Sequence, residues 1–391
     1  MEQAESTPLV QSIMDQFAAL TGLSPGEKSP RRYLWTDAFA VCNFLRLYLR
    51  TKDEKYRELA LRLVEQVHNV LGRHRADDTR TGWISGLSEK EGRSHPTCGG
   101  LRIGKALNEH KPGDPVDERL EWEQDGQYFH YLTKWMHALN RVSAVTGDFV
   151  YNRWAMELAK TAHARFVYVL PRSGRKSMYW KMSIDLSYPL VRSMGHHDPL
   201  DGFITYSQLQ STGAKDTGKP ATLDLAAMIG DMAHICEGKN WQTDDPLGLG
   251  SLLSDAYKAA QLISCEAFGD ADLLRTLLTA SIPGLKSCVH KNFLGFSAAY
   301  RLAFREFGLS IGLHAVERLE NLVKKDQVLS LEDLQLQALL KSLRRYVPLG
   351  EEIEAFWLKS ANQASETWTE HRDINMVMLA TSLAPDGYLA L

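Results

Sequence analysis

Carboxylates and imidazoles crowd at four points of the sequence, most of them beside aromatic rings. The first is Tyr33-Leu34-Trp35-Thr36-Asp37, at the opening of an apolar helical run. A carboxylate there can act as acid or base at a sugar while an indole stacks on a pyranose face; in the plainer alternative, Asp37 caps the helix and Trp35 joins the core. The second, Glu121 to His130, gathers Glu121, Trp122, Glu123, Asp125, Tyr128 and His130 at another helix start, where a capped, partly exposed entry is the structural alternative. His130, Lys134 and His137 follow at helical spacing, near one face. Glycosidic cleavage needs two carboxyl groups across the scissile bond, whereas epimerisation needs proton carriers that work near neutral pH. Either chemistry could draw one partner from this segment.

The third point is His196-His197-Asp198-Pro199, expected in a loop. Neighbouring residues of one loop seldom supply a full coordination shell, and neither an HExxH pattern nor a matched cysteine pair accompanies them, so no metal and no cofactor is expected. A substrate-facing or plainly solvated loop are the remaining readings. The fourth point is His371-Arg372-Asp373, just ahead of the last apolar helix, where Asp373 is otherwise a helix cap. Around these lie Trp83, Trp122 and Trp180, outside any helical stripe and suited to stacking on sugars or to plugging a loop. Arg102 and Lys105 could grip an anionic group or remain surface charges. The run Gly99 to Lys105 imitates a phosphate loop, but Ala106 stands where a Mg²⁺-holding hydroxyl belongs and no strand precedes it.

The elements that must carry these residues announce themselves by repetition. Thr51, Asp53, Tyr56 and Ala60 return 95 residues later as Thr146, Asp148, Tyr151 and Ala155, with Leu63 and His68 matched by Leu158 and His163. Gly147 suits the left-handed end of one helix, and Asp148 can accept N–H groups opening the next. Apolar stripes follow in both copies: Tyr56, Leu59, Ala60, Leu63, Val64, Val67 and Leu71, then Tyr151, Trp154, Ala155, Leu158, Ala159, Ala162 and Phe166. Further helices are expected over 9–21, 34–50, 128–145, 221–237, 251–267, 271–281, 293–307, 311–324, 331–346, 351–366 and 373–383, with joints at Phe268-Gly269-Asp270 and Gly308-Leu309-Ser310. Two stretches, 72–124 and 172–220, are too long for ordinary connections. In the second, alternation of Met178, Trp180, Met182, Ile184 and Leu186 with polar neighbours predicts a β-strand, a small β-containing insertion around 176–188.

Of 391 residues, 44% are hydrophobic and 24% charged, a globular balance with a net charge of −3 and no basic field for nucleic acid. No run approaches the roughly 20 apolar residues of a membrane helix, and the N-terminus has no secretory pattern. Five scattered cysteines suggest reduced thiols and a cytoplasmic setting.

With its T-x-D-x-x-Y-x-x-x-A joints at 51–60 and 146–155, its hairpin count and its aromatic loops, the chain resembles the six-hairpin (α/α)6-toroid superfamily. That group includes glycoside hydrolases and N-acylglucosamine 2-epimerase-like proteins. The resemblance implies an all-α, single (α/α)6 toroid over 1–391, with inner helices opening at a central funnel. It implies a carbohydrate-active enzyme on a small-molecule or oligosaccharide substrate, with neither nucleic acid nor membrane as partner. Hydrolysis would pair Glu121 or Asp125 with Asp37, Asp198 or Asp373. Epimerisation would pair His130, His196 or His197 with His371. Trp35, Trp83, Arg102, Trp122, Tyr128 and Trp180 would bind substrate. A non-catalytic sugar-binding or scaffold protein is the alternative.

Overall fold

The computed structural model of the protein describes residues 6–26, 29–111, 113, 118–265, 271–325 and 333–391. Helices α1 (Thr7–Leu20), α2 (Leu34–Thr51), α3 (Glu54–Leu71), α4 (Glu89–Ser94) and α5 (Glu118–Glu121) precede strand β1 (Gln127–Tyr128). Next come α6 (Phe129–Thr146), α7 (Val150–Phe166), β2 (Val167–Val169), β3 (Lys176–Met178), β4 (Lys181–Met182), β5 (Pro189–Val191), α8 (Asp198–Gly213) and α9 (Ala226–Cys236). The rest is helical: α10 (Pro246–Ser264), α11 (Ala271–Lys291), two 3-10 turns, α12 (Ala303–Lys325), α13 (Leu334–Arg344), α14 (Pro348–Trp357), α15 (Ser360–Gln363), α16 (Glu366–Glu370), α17 (Arg372–Leu383) and α18 (Asp386–Leu389). The fold is all-α, built of helix hairpins, with the small β insertion that the alternation around 176–188 predicts. No described helix is long and apolar enough to cross a membrane.

The chain divides into two compact units, one of residues 18–48 and 52–237, the other of residues 1–17, 49–51 and 238–391. In the first, both copies of the repeat are hairpins, α2–α3 and α6–α7. Gly147 ends α6 at φ 76° and Asp148 Oδ1 accepts the Val150 N–H at 2.9 Å. In the earlier copy Lys52 takes the left-handed conformation at φ 60° and Asp53 accepts the Lys55 N–H at 3.0 Å. The stripe of α3 is buried residue for residue, while α2 and α6 are buried on nearly all sides. Half-buried Tyr151 and Trp154 on α7 face a surface groove instead of the core.

Three expectations need correction. The stretch 172–220 contains helix α8, which has no polar stripe to reveal it, because Asp198 to Leu209 are buried save Phe203. The expected single strand is broken: β2 and β3 form one hairpin, while β4 pairs with β1 on one side and β5 on the other. Lys181, expected on the wet side of the alternation, is wholly buried because its ammonium caps the Glu121 and Gln124 carbonyls at 2.8 and 2.9 Å. Thirdly, α12 runs unbroken through Gly308, where a joint was expected. Gly308 serves close approach to α10, since a Cβ on Gly250 would stand 1.8 Å from the Gly308 carbonyl oxygen. The expected joint at Phe268-Gly269-Asp270 lies outside the described residues.

Candidate active site

Strand β1 leads straight into α6 and ties both insertions to that helix start. Gln127, fully buried, accepts the Leu101 N–H at 2.8 Å and donates to the Gly99 and Ile184 carbonyls at 3.1 and 2.7 Å. Arg80 pairs with Glu109 at 2.6 Å and Asp185 at 2.9 Å, and the Tyr188 hydroxyl donates to the His110 carbonyl at 2.7 Å.

The polar face of α6 docks on α8 as a seam of side-chain pairs. Lys134 Nζ meets Asp201 Oδ1 at 2.7 Å, His137 Nδ1 meets Gln208 Oε1 at 3.0 Å, and Gln208 donates to Asn140 Oδ1 at 2.6 Å. The last rung, at the two helix starts, is looser: His130 Nδ1 lies 3.6 Å from Asp198 Oδ1. That ring nitrogen is buried and has no hydrogen-bond partner among the described residues. Burial pulls the His130 imidazole down to about 4, with Asp201 raising it and Lys134 lowering it, so the ring is neutral at physiological pH. His196 and His197, 4.6 Å apart between ring centroids, precede Asp198 directly.

An aromatic cluster surrounds His130. Its ring lies parallel to Trp180 at 6.2 Å and 16°, and its neighbours are Tyr131 at 4.9 Å, Tyr128 at 5.3 Å and Trp35 at 6.1 Å. Trp122 meets Trp180 edge-on at 5.4 Å and is itself 55% exposed, so the wall runs from buried Tyr128 and Trp35 out to solvent. The Tyr33 and Tyr131 hydroxyls are 2.7 Å apart, and burial pushes the Tyr33 phenol up to about 12. Tyr131 was not singled out in the sequence, although it directly follows His130.

The carboxylates expected as acids are each held by a cation. Asp37 pairs with the buried Arg32 at 3.2 Å and accepts the Tyr33 N–H at 3.0 Å. Glu121 pairs with Lys181 at 2.7 Å. Asp125, fully buried, takes Arg102 at 2.8 Å, Arg75 at 3.4 Å and the Gly104 N–H at 2.9 Å. Arg102 is thereby committed to Asp125, with its other donors on the Arg73 and Val70 carbonyls at 3.0 and 2.9 Å. Trp83 is buried beneath the Arg73 guanidinium, 4.2 Å from its ring centre. His371 and Asp373 belong to the other unit, at the start of α17, where the exposed His371 ring lies 5.5 Å from that of Phe304.

No family model matches the chain, and no curated protein matches it either. Among solved structures it is similar to a sugar epimerase from a ruminal bacterium, at 10% identity over 81% of this chain and 75% of that one, TM-score 0.43. It is also similar to cellobiose 2-epimerase from Bacillus thermoamylovorans, at 9% identity over 81% and 76%, TM-score 0.44. A third is cellobiose 2-epimerase from Spirochaeta thermophila, at 12% identity over 97% and 98%, TM-score 0.47.

Proposed function

We propose that the protein is a carbohydrate-directed enzyme of the epimerase kind, with His130 as its proton-abstracting base. The observation that carries this reading is the open rung of the α6–α8 seam. Every deeper rung is closed at 3.0 Å or less, whereas His130 Nδ1 stands 3.6 Å from Asp198, unbonded, in an aromatic wall that reaches solvent. A neutral imidazole accepts a proton without first losing one. A C–H beside the carbonyl of an open-chain aldose is acidic enough for such a base when the developing charge is stabilised.

Asp198 faces the imidazole and would stabilise the imidazolium formed on abstraction. Return of the proton to the opposite face requires a second carrier, and His196 or His197 stands one or two residues before Asp198. Trp35, Tyr128, Tyr131, Trp180 and Trp122 would hold the sugar by stacking. Hydrolysis is disfavoured physically, because Asp37, Glu121 and Asp125 are committed to Arg32, Lys181 and Arg102. A general acid must reach the glycosidic oxygen, and these carboxyl groups are engaged elsewhere.

The test is exchange of the C2 hydrogen of reducing mono- and disaccharides with D2O, followed by NMR. Wild-type protein is expected to catalyse exchange on at least one sugar, and His130→Asn to abolish it while leaving sugar-induced thermal shifts intact. Thermal shifts without exchange would replace the reading with a sugar-binding protein. Neither shift nor exchange across the panel would remove it.

A further inference from the structure

Outside the aromatic site, the short segment after α4 brings a second set of chemically distinctive side chains together. His95, at the end of α4, and Cys98, three residues later, meet the half-buried Glu157 of α7. One donor atom from each lies within 4.8 Å of the others. His95 Nδ1 is 2.7 Å from Glu157 Oε1, and Cys98 Sγ donates to Glu157 Oε2 at 3.6 Å. From these donors we infer a zinc site with three protein ligands and a fourth position open to solvent.

The chemistry of the donor set selects the metal. One imidazole nitrogen, one thiolate and one carboxylate make a mixed N, S, O shell, which suits a borderline-soft cation and not Mg²⁺ or Ca²⁺. Tetrahedral zinc with bonds of about 2.0–2.3 Å sets its ligands roughly 3.3–3.8 Å apart, so the present donors, all within 4.8 Å of one another, would need to shift by about an ångström to enclose the ion. The charge also balances: a thiolate and a carboxylate neutralise the dication and leave the imidazole neutral.

The segment is fixed before any metal arrives. Thr97 Oγ1 donates to the Trp154 carbonyl at 2.7 Å, the Trp154 indole donates to the Ser94 carbonyl at 2.8 Å, and Thr161 Oγ1 donates to the Cys98 carbonyl at 3.0 Å. These three bonds bracket the donors and clamp the segment to the helix that carries Glu157. Preorganisation of this kind lowers the entropic cost of ligation. Close by in sequence, Arg93, Pro96 and Trp154 line a groove of about 540 Å³ with His68 and Trp83.

In the structure the Cys98 sulfhydryl donates to Glu157 and so carries its proton. Zinc binding therefore breaks the Cys98 S–H bond, forms a zinc–sulfur bond and releases that proton to the buffer.

The full chain, stripped with a chelator and titrated with Zn²⁺ alone against a chromogenic competitor, is expected to take up about one tight equivalent. Cys98→Ser and Glu157→Gln should each weaken binding by roughly 100-fold or more, at least what loss of outer-shell partners costs. Far-UV circular dichroism should be unchanged in both. The double variant His196→Ala/His197→Ala should bind as wild type. Substitution with Co²⁺ should give a thiolate charge-transfer band that disappears in Cys98→Ser. Wild-type protein with no saturable equivalent, a band that survives Cys98→Ser, or loss of binding in the His196/His197 variant would each overturn the site.

Discussion

Lys181 Nζ lies 2.7 Å from Glu121 Oε1, with the lysine wholly buried and the carboxylate nearly so. The same ammonium donates to the Glu121 and Gln124 carbonyls, so the end of one insertion is pinned to a strand of the other. Burial pulls the lysine below its usual value, and Glu121 beside it works against that fall. Lys181→Met strands a buried carboxylate and should cost about 3–5 kcal/mol in urea unfolding, whereas Lys181→Met/Glu121→Gln should recover much of it. Any sugar activity should survive Glu121→Gln within a few-fold, because loss of a general acid would cost on the order of 100-fold or more. A collapse of activity in folded Glu121→Gln would return Glu121 to the catalytic set.

The low position of His130 fixes the acid limb of the proposed reaction. A base of ordinary imidazole strength would lose activity as pH falls through about 6.5. His130, pulled down to about 4 by burial, should hold its activity to near that value and lose it below as the ring is protonated. Exchange rates of the C2 hydrogen from pH 3.5 to 8 measure this directly. Asp201→Asn removes the charge that raises His130 and should move the limb further down. A midpoint near 6.5 would place the base elsewhere.

A different histidine sets a stability signature in the other unit. His314 Nε2 meets Glu354 Oε1 at 2.9 Å and Nδ1 faces Glu317 at 3.4 Å, while Ser310 donates to the same Glu354 oxygen at 3.0 Å. Burial works to lower the imidazole, but the two glutamates outweigh it and carry it up to about 9. Since the folded value lies above the unfolded one, near 6.5, the charged ring contributes full stability below about 6.5 and loses it as pH rises through about 9. The contribution is on the order of 3 kcal/mol. Wild-type melting temperature should therefore fall between pH 7 and 10 more steeply than that of His314→Gln; parallel curves would contradict this.

How much of this was legible depends on which side of each contact carries a periodic signal. The stripe of α3 and the joint at Gly147-Asp148 were readable because one face is apolar and the turn chemistry is local. The polar face of α6 was equally visible as His130, Lys134 and His137. Its partner was not, because α8 is buried nearly all round and interleaves Asp198, Asp201 and Gln208 with its apolar residues, leaving no stripe. Two of the expected loop residues, His197 and Asp198, thus stand at a helix start. The expected acids failed to stand free for the same reason that made them conspicuous: buried carboxylates require cations, and Arg32, Lys181 and Arg102 lie at no fixed spacing from them. His95-x-x-Cys98 is a visible pair, but Glu157 joins it only through the fold.

Glycine positions discriminate between three physical roles that look alike in sequence. At Gly250 an added methyl would stand 1.8 Å from the Gly308 oxygen and 2.2 Å from its carbonyl carbon, so α10 and α12 cross backbone against backbone. Neither helix can yield without moving the other, and Gly250→Ala should cost about 3 kcal/mol or more. Gly147 has open space around its missing Cβ but sits at φ 76°, so Gly147→Ala should cost only the left-handed strain, about 1–2 kcal/mol. Gly230 has both open space and a helical backbone within α9, so Gly230→Ala should stabilise by roughly 0.4–1 kcal/mol through the unfolded chain. Urea unfolding of the three variants should give that order. A Gly250→Ala variant as stable as wild type would mean that α10 and α12 are not in backbone contact and that Gly308 has another reason to interrupt the apolar run of α12.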